Sequence, residues 1–351
     1  MDVTVSVIVP AWKAEHTLMR CAESVLSQKA DVELIIIDDG SPDHTPQIAD
    51  RIAEDDHRVR VHHATHGGRC VARNHGIGMA RGEWIVFVDA DDIVPTDALS
   101  TLLRNAGHAD IVWGNYDDDR GTGPRCSGDS GILDVPTANR LTANIEAIDT
   151  MPSGFAFDTW NTRTVTGKAY RRWLLAGPRG VRFVPGLRFG EDCLFNLEAT
   201  ARSRTMRYID LPVYRHQHRL SQTVATFHTG DFDSVVLLAR NVMRLNPDAL
   251  LVHEEDLRAF VAREWLNTFA RGARYTPLSG MRDVCASARH SLVPYIDDSL
   301  SYYRSRNHIR LMYNMLRTQL VRQGWWGAAF MLQRIAGHSL RRRQVSASYA
   351  A

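Results

Sequence analysis

Gly82-Glu-Trp-Ile-Val-Phe-Val-Asp-Ala-Asp-Asp-Ile93 is the stretch whose reading decides the fold. Trp84 to Val88 is a short run of β-branched and aromatic residues, the composition of a buried strand. It stops at three carboxylates, Asp89, Asp91 and Asp92. Three unpaired negative charges are too costly to bury, so the run is expected to end at an edge, against water or a cation. In extended chain, residues two apart face the same way, which lets Asp89 and Asp91 converge on one object. Carboxylate oxygens suit a hard divalent cation, and such a cation also holds phosphate. The plainer alternative is an acidic turn that caps a helix starting near Thr96.

Upstream, the same alternation repeats. Apolar runs at 3–9, 32–37 and 59–63 read as strands, and 110–114 reads as another downstream. Between them, 17–28, 43–54, 70–81 and 96–105 carry helical spacing, as in Leu18, Cys21, Ala22, Val25 and Leu26. Strands alternating with helices at this spacing predict an α/β fold with a doubly wound, mixed but mostly parallel sheet. Ligands of such sheets lie beyond the carboxyl ends of the strands. The polar clusters fall there: Pro10 to Trp12, Asp38-Asp39, His66-Gly67-Gly68 and Asp89 to Asp92.

Further along, 117–131 and 151–166 read as loops, 137–149 as a helix, 168–175 as a short helix, 191–201 as a helix and 207–214 as a last strand. Beyond about residue 230 the pattern is helical throughout, with candidate helices at 232–245, 256–272, 278–291, 307–323 and 325–340. A boundary near 228 therefore separates an α/β part, 1–228, from an α-helical C-terminal region, 229–351.

The chain has 351 residues, 44% of them hydrophobic, and a net charge of +2. That is enough for one large domain with a helical appendage, and too little charge for a polyanion partner. The charge is uneven: residues 299–351 hold nine arginines and no Asp or Glu. Cys21, Cys70, Cys126, Cys193 and Cys285 are odd in number and scattered, which argues against a disulfide framework and fits a reducing cytoplasm. No apolar run reaches the roughly 18 residues of a bilayer span. The interleaved apolar and arginine residues of 300–343 fit either a peripheral contact with the inner face of a membrane or a packed helix at a homo-oligomer interface. Nothing resembles a nucleic-acid recognition module.

Five motifs occur in order: Val-Ser-Val-Ile-Val-Pro-Ala-Trp at 5–12, Ile37 to Ser41, Ala72-Arg73-Asn74, Phe87 to Asp92, and Gly190-Glu191-Asp192. Together they resemble the inverting family 2 glycosyltransferases with the GT-A fold, over roughly residues 3–221. The resemblance implies a catalytic domain with a nucleotide-binding half at about 1–115 and an acceptor half at about 116–228. It also implies a nucleotide-sugar donor, usually UDP-linked, a divalent cation (Mn2+ or Mg2+), and a glycan, lipid-linked or cell-wall polymer acceptor. Under it Pro10 and Trp12 line the base pocket, with Asp39 and His66 at the nucleoside. Arg73 lies by the diphosphate, and Asp89 contacts ribose or metal-bound water. Asp91 binds the metal, Asp192 is the general base, and Glu191 supports it or contacts the acceptor. In the late basic element, His218 reaches the metal or diphosphate and Ser221 a phosphate oxygen. That element departs by one residue from the family form, so Arg215, His216 and Arg219 stay open for its basic role. His66 stands where the family has Asn, and Trp12 where it has Tyr.

Two other readings compete. A sugar-nucleotide nucleotidyltransferase would show a similar sheet, but no glycine-rich loop with a lysine follows the first strand. A non-catalytic scaffold on the same fold would not need Asp39, Asp89, Asp91 and Asp192 together.

Overall fold

The computed structural model describes residues 4–118, 131–133, 138–139, 142, 163–217, 227–250, 252–300, 316–317, 319–321 and 323–333. By contacts the chain divides into two compact units, residues 1–218 with 246–252, and residues 219–245 with 253–351.

The first unit is built on an eight-stranded sheet. Its early strands are β1 (Val5–Ala11), β2 (Val32–Asp38), β3 (Val59–His63), β4 (Trp84–Phe87) and β5 (Ile111–Asp118). Then come β6 (Gly131–Leu133), β7 (Lys168–Arg171) and β8 (Met206–His216), and the spatial order is β3-β2-β1-β4-β7-β5-β8-β6. β1 to β4 pair in parallel, with Val5 opposite both Val32 and Trp84. Continuous β-branched runs suit these strands because helices cover both faces: every residue of β2 and β4 is buried. Helices α1 (Leu18–Leu26), α2 (Thr45–Asp55), α3 (Arg69–Met79) and α4 (Ala98–Arg104) fill the connections, as their spacing predicts.

The stretch 168–175 corrects the sequence reading. It is not one short helix. Lys168 to Arg171 form β7, antiparallel to both β4 and β5, and only Arg172–Leu175 make a helical turn. β7 is paired on both edges, and Lys168, Ala169 and Tyr170 are all buried. Four residues without alternation leave no period to read, and tertiary pairing decides their state. The helix expected at 137–149 falls largely outside the described residues; 138, 139 and 142 are helical.

Two glycines aim the functional segments. Gly68 has φ +86° and opens α3; Gly190 has φ +78° and opens α5 (Glu191–Arg202). Both lie in the left-handed region that L side chains disfavour.

In the second unit, helices at Asp231–Val242, Glu254–Tyr275, Met281–His290 and Pro294–Ser299 pack around Phe232, Trp265 and Phe269. Trp265 and Phe269, one turn apart, stack at 5.7 Å, and the Trp265 indole N–H donates to Ser291 Oγ at 2.9 Å. Of 307–340, most lies outside the described residues; 316–317, 319–321 and 326–333 are helical. No described helix is long and apolar enough to cross a membrane.

A buried carboxylate fixes the entry to β4. Glu33 on β2 sits opposite Ser6 on β1 and accepts its hydroxyl at 2.6 Å. Glu33 also accepts the Arg81 backbone N–H at 2.7 Å and Arg60 Nη1 at 3.2 Å, while Ser6 Oγ accepts the Gly82 N–H at 2.8 Å. Burial alone would raise this carboxyl, but the donors, Ser6 foremost, outweigh it and hold the value below glutamate's ordinary 4.5 or so. A depressed value means stabilisation that is complete above about pH 4.5 and lost as pH falls below it. Glu33→Gln should therefore lower stability by about 1–3 kcal/mol at neutral pH. The deficit should narrow in acid, as read from urea midpoints at pH 7 and below pH 4.5.

Candidate active site

β4 delivers the acid cluster to the carboxyl edge of the sheet, but not in extended form. After Val88 the chain turns, and the Asp92 N–H donates to the Asp89 carbonyl at 3.0 Å. The expected alternation of Asp89 and Asp91 therefore does not apply. Nor do all three carboxylates face outward. Asp92 is 2% exposed and receives the Tyr214 hydroxyl at 2.5 Å, the Gln217 N–H at 2.8 Å and His216 Nδ1 at 3.1 Å. Three donors from the end of β8 make that burial tolerable. A carboxylate only accepts, so His216 carries its proton on Nδ1, and the hydrogen bond to Asp92 pushes the imidazole up.

Asp91 is left at the tip of the turn. Among the described residues no Lys, Arg or His forms an ion pair with it. Burial, then the charges of Asp89 and Asp92, push its carboxyl up to about 6. It is a carboxylate short of positive charge, which is the chemistry of a cation ligand.

Two arginines one helical turn apart on α3 meet the acids that open α5. Arg69 Nη2 pairs with Glu191 at 2.8 Å. Arg73 Nη1 donates to Asp192 Oδ1 at 2.6 Å, and its Nη2 to Asp89 Oδ1 at 3.0 Å. The spacing i and i+4 puts both arginines on one face, opposite consecutive carboxylates. Arg73 is 0% exposed, and its guanidinium lies 5.1 Å from the Phe183 ring centre. Burial opposes its charge, but Asp192 and Asp89 prevail and hold it protonated. Burial would likewise raise Asp89, yet Arg73 keeps that carboxyl below the usual range. Glu191 is raised, by burial first and then by Asp192, against the pull of Arg69. The backbone N–H of Val165 donates to Asp192 Oδ2 at 3.3 Å.

This corrects one placement. Arg73, expected beside a diphosphate, is enclosed by protein and holds two carboxylates. Acids in a first helical turn are ordinarily explained by the helix dipole; here each also has its own arginine.

At the other end of the edge, Trp12 and His66 stack at 3.9 Å with an interplanar angle of 24°. Trp12 is 40% exposed, so it is not a core tryptophan. Asp39 is 2% exposed, and its carboxylate accepts the N–H groups of Gly67 at 2.8 Å and Gly68 at 2.9 Å, while His66 Nδ1 bonds to its backbone carbonyl at 3.1 Å and lies 2.9 Å from its carboxylate. Pro10, in β1, lies level with Ile37. The structure thus gathers Pro10, Trp12, Asp39 and His66 around one strand edge, and Arg73, Asp89, Glu191 and Asp192 in one ion-pair chain. His218 and Ser221 lie outside the described residues.

Sequence reasoning missed Arg69, Tyr214, His216 as the partner of Asp92, and the Val165 N–H. The i, i+4 pair Arg69 and Arg73, set against adjacent acids, was the one signal available. The others depend on where β8 and the segment before β7 come to lie.

The sheet order and the acid-bearing turn at its carboxyl edge define a GT-A-type fold. Residues 1–349 of TarS from S. aureus, crystallised with UDP-GlcNAc, superpose with a TM-score of 0.65 at 18% identity, over 97% of this chain and 92% of that one. The model for glycosyl transferase family 2 matches residues 6–171. EpsH of Bacillus subtilis (strain 168), named as a glycosyltransferase, is 33% identical over 240 residues, 67% of this chain and 66% of that one. The succinoglycan biosynthesis protein ExoO of Rhizobium meliloti is 38% identical over 120 residues, 32% of this chain and 33% of that one. The chain belongs to glycosyl transferase family 2, and it spans about two thirds of EpsH and one third of ExoO.

Arg73→Leu should leave Asp89 and Asp192 unpaired and cost about 3–5 kcal/mol, the loss seen when one partner of a buried pair is removed. Its urea midpoint should fall at neutral pH and recover in part on acidification, when the freed carboxylates take up protons.

Proposed function

We propose that this family 2 glycosyltransferase moves a sugar from a nucleotide-sugar, with UDP as the nucleotide, to a hydroxyl of a glycan, lipid-linked or wall-polymer acceptor, with inversion at the anomeric carbon. The observation that carries the reading is the Asp89–Arg73–Asp192 bridge. It joins the carboxyl end of β4, where the family resemblance puts the donor, to the start of α5, where it puts the base.

Asp192 is the general base. One of its oxygens is held by Arg73 and the other by the Val165 N–H, which fixes the carboxylate plane and leaves lone pairs for a proton. The acceptor hydroxyl gives its proton to Asp192 as its oxygen bonds to the anomeric carbon. The bond from that carbon to the diphosphate oxygen breaks in the same displacement, so the configuration inverts and no sugar–enzyme bond forms. Arg73 is a positioning residue, and Glu191, tied to Arg69, keeps the first turn of α5 in place.

By the family pattern Asp91 would hold a divalent cation, Mn2+ or Mg2+, with Asp89 near it, and among the described residues no group of three or more metal-ligating side chains stands together there. Such an ion would offset the charge that collects on the departing diphosphate. Trp12 and His66 offer a flat surface to a base, with Asp39 locking the His66 ring and the Gly67-Gly68 backbone. Pro10 walls that side. His218 and Ser221 are assigned to the metal or diphosphate by the family pattern. His216, already hydrogen-bonded to Asp92, is a second candidate for the basic role. The solved relative's UDP-GlcNAc complex and ExoO's part in making succinoglycan support the choice of UDP and of a glycan acceptor.

Thermal midpoints of the purified protein with UDP, GDP, dTDP and CDP, each with and without Mn2+, test the donor site. A ligand that binds the native state alone raises the midpoint by mass action. UDP with Mn2+ is expected to give the largest shift, and Asp91→Ala to remove its metal dependence. A shift from no nucleotide at all would count against the transferase reading. Asp192→Asn should abolish transfer while keeping that shift; losing both would make Asp192 structural. Arg73→Lys, which keeps the charge but not the two-pronged fork, should lower kcat more than it changes KM.

A further inference from the structure

The opposite edge of the sheet carries a recess of about 620 Å3. Glu83 on its rim and Asp89 in the acid cluster are six residues apart across β4, roughly 20 Å of extended chain. The other principal walls are Asp110, Arg171, Arg172, Trp173 and Arg204.

Trp173 is 50% exposed. A side chain of that size gains much from burial, so its place on the wall of a recess is unusual. The Arg204 guanidinium lies 5.4 Å from its ring centre. Asp110, 2% exposed, fixes Arg204 by accepting its backbone N–H at 2.8 Å and its Nε and Nη2 at 3.3 Å each. Arg171 is held in a similar way, by Glu83 and by stacking 4.1 Å from the centre of Trp84. Both arginines are thus pre-set, yet neither Arg171 Nη2 nor Arg204 Nη1 meets a protein acceptor among the described residues. Arg172, exposed, forms no ion pair among them either.

Three arginines set against two carboxylates leave the walls with one positive charge in excess. We propose that this recess binds a glycan segment carrying a uronic acid. The apolar face of a sugar ring matches Trp173, and its hydroxyl oxygens can accept from Arg171 Nη2 and Arg204 Nη1. A single carboxylate matches both the excess charge and the planar guanidinium of Arg172. A nucleic acid also offers flat rings and anions, but its closely spaced phosphates carry more charge than the single excess positive charge of these walls matches. The inference goes beyond the proposed reaction, and binding is read without any transfer.

The test is isothermal titration of the full chain with short oligogalacturonates, alongside neutral maltooligosaccharides and oligothymidylate. The uronate chain should bind saturably. Trp173→Ala and Arg172→Ala should each weaken it by about tenfold, the loss of one good contact, and Asp91→Ala should leave it unchanged. Both test side chains are exposed, so the variants should keep the parent's thermal midpoint and its nucleotide-induced shift. That shift separates failure here from failure of the donor assignment. No uronate binding, equal binding of the neutral sugars, tighter binding of oligothymidylate, or indifference to Trp173→Ala would each overturn the proposal.

Discussion

The buried guanidinium of Arg73 is the contact on which the rest of the site depends. It arrives from α3, carries no exposed surface, and is neutralised from two directions, by Asp89 after β4 and by Asp192 at the start of α5. Arg73 would not be stable at its depth without both acids, and the acids, 32% and 23% exposed, are held in place by it. The three are therefore obligatory partners, and their geometry fixes the distance between the acid turn and the first turn of α5. Arg69 and Glu191 repeat the arrangement one helical turn away and stop α5 from rotating about the first pair.

Asp89, Asp91 and Asp92 show how neighbours of identical chemistry acquire different duties. Asp92 turns inward to three donors from β8 and anchors the turn. Asp89 is claimed by Arg73. Asp91 alone keeps an unmet demand for positive charge, and its raised value follows from burial and from the two carboxylates beside it. Satisfying its two neighbours leaves Asp91 as the one carboxylate of the three without an ion pair among the described residues.

The strands and helices up to β5 were legible because each is long enough to show a period and each buried run is β-branched. The acid turn and the acids that open α5 were legible as two motifs, in order with three others. What was not legible is instructive. β7 is four residues long and owes its state to the two strands that flank it. The inward turn of Asp92 depends on Tyr214, more than a hundred residues later in the chain. The enclosure of Arg73 depends on Phe183 packing over it from another segment. In each case a distant residue decides, and local spacing carries no record of it.

The position of β7 bears on how the chain is assembled. β4 and β5 follow one another in sequence with only α4 between, yet they never touch as strands; β7, more than fifty residues further on, is the spacer that each must pair with. As the chain emerges during synthesis, β1 to β4 can associate through local crossovers, while β5 has no partner until β7 has been made and is paired on both sides only after β8. Sheet completion is thus a late, long-range event, with the loop closure cost that slows such topologies. A chain cut before Lys168 would leave one side of β4 unpaired, an edge prone to unwanted pairing with other chains. The donor-side and acceptor-side halves suggested by the motifs are, in assembly, a single cooperative sheet.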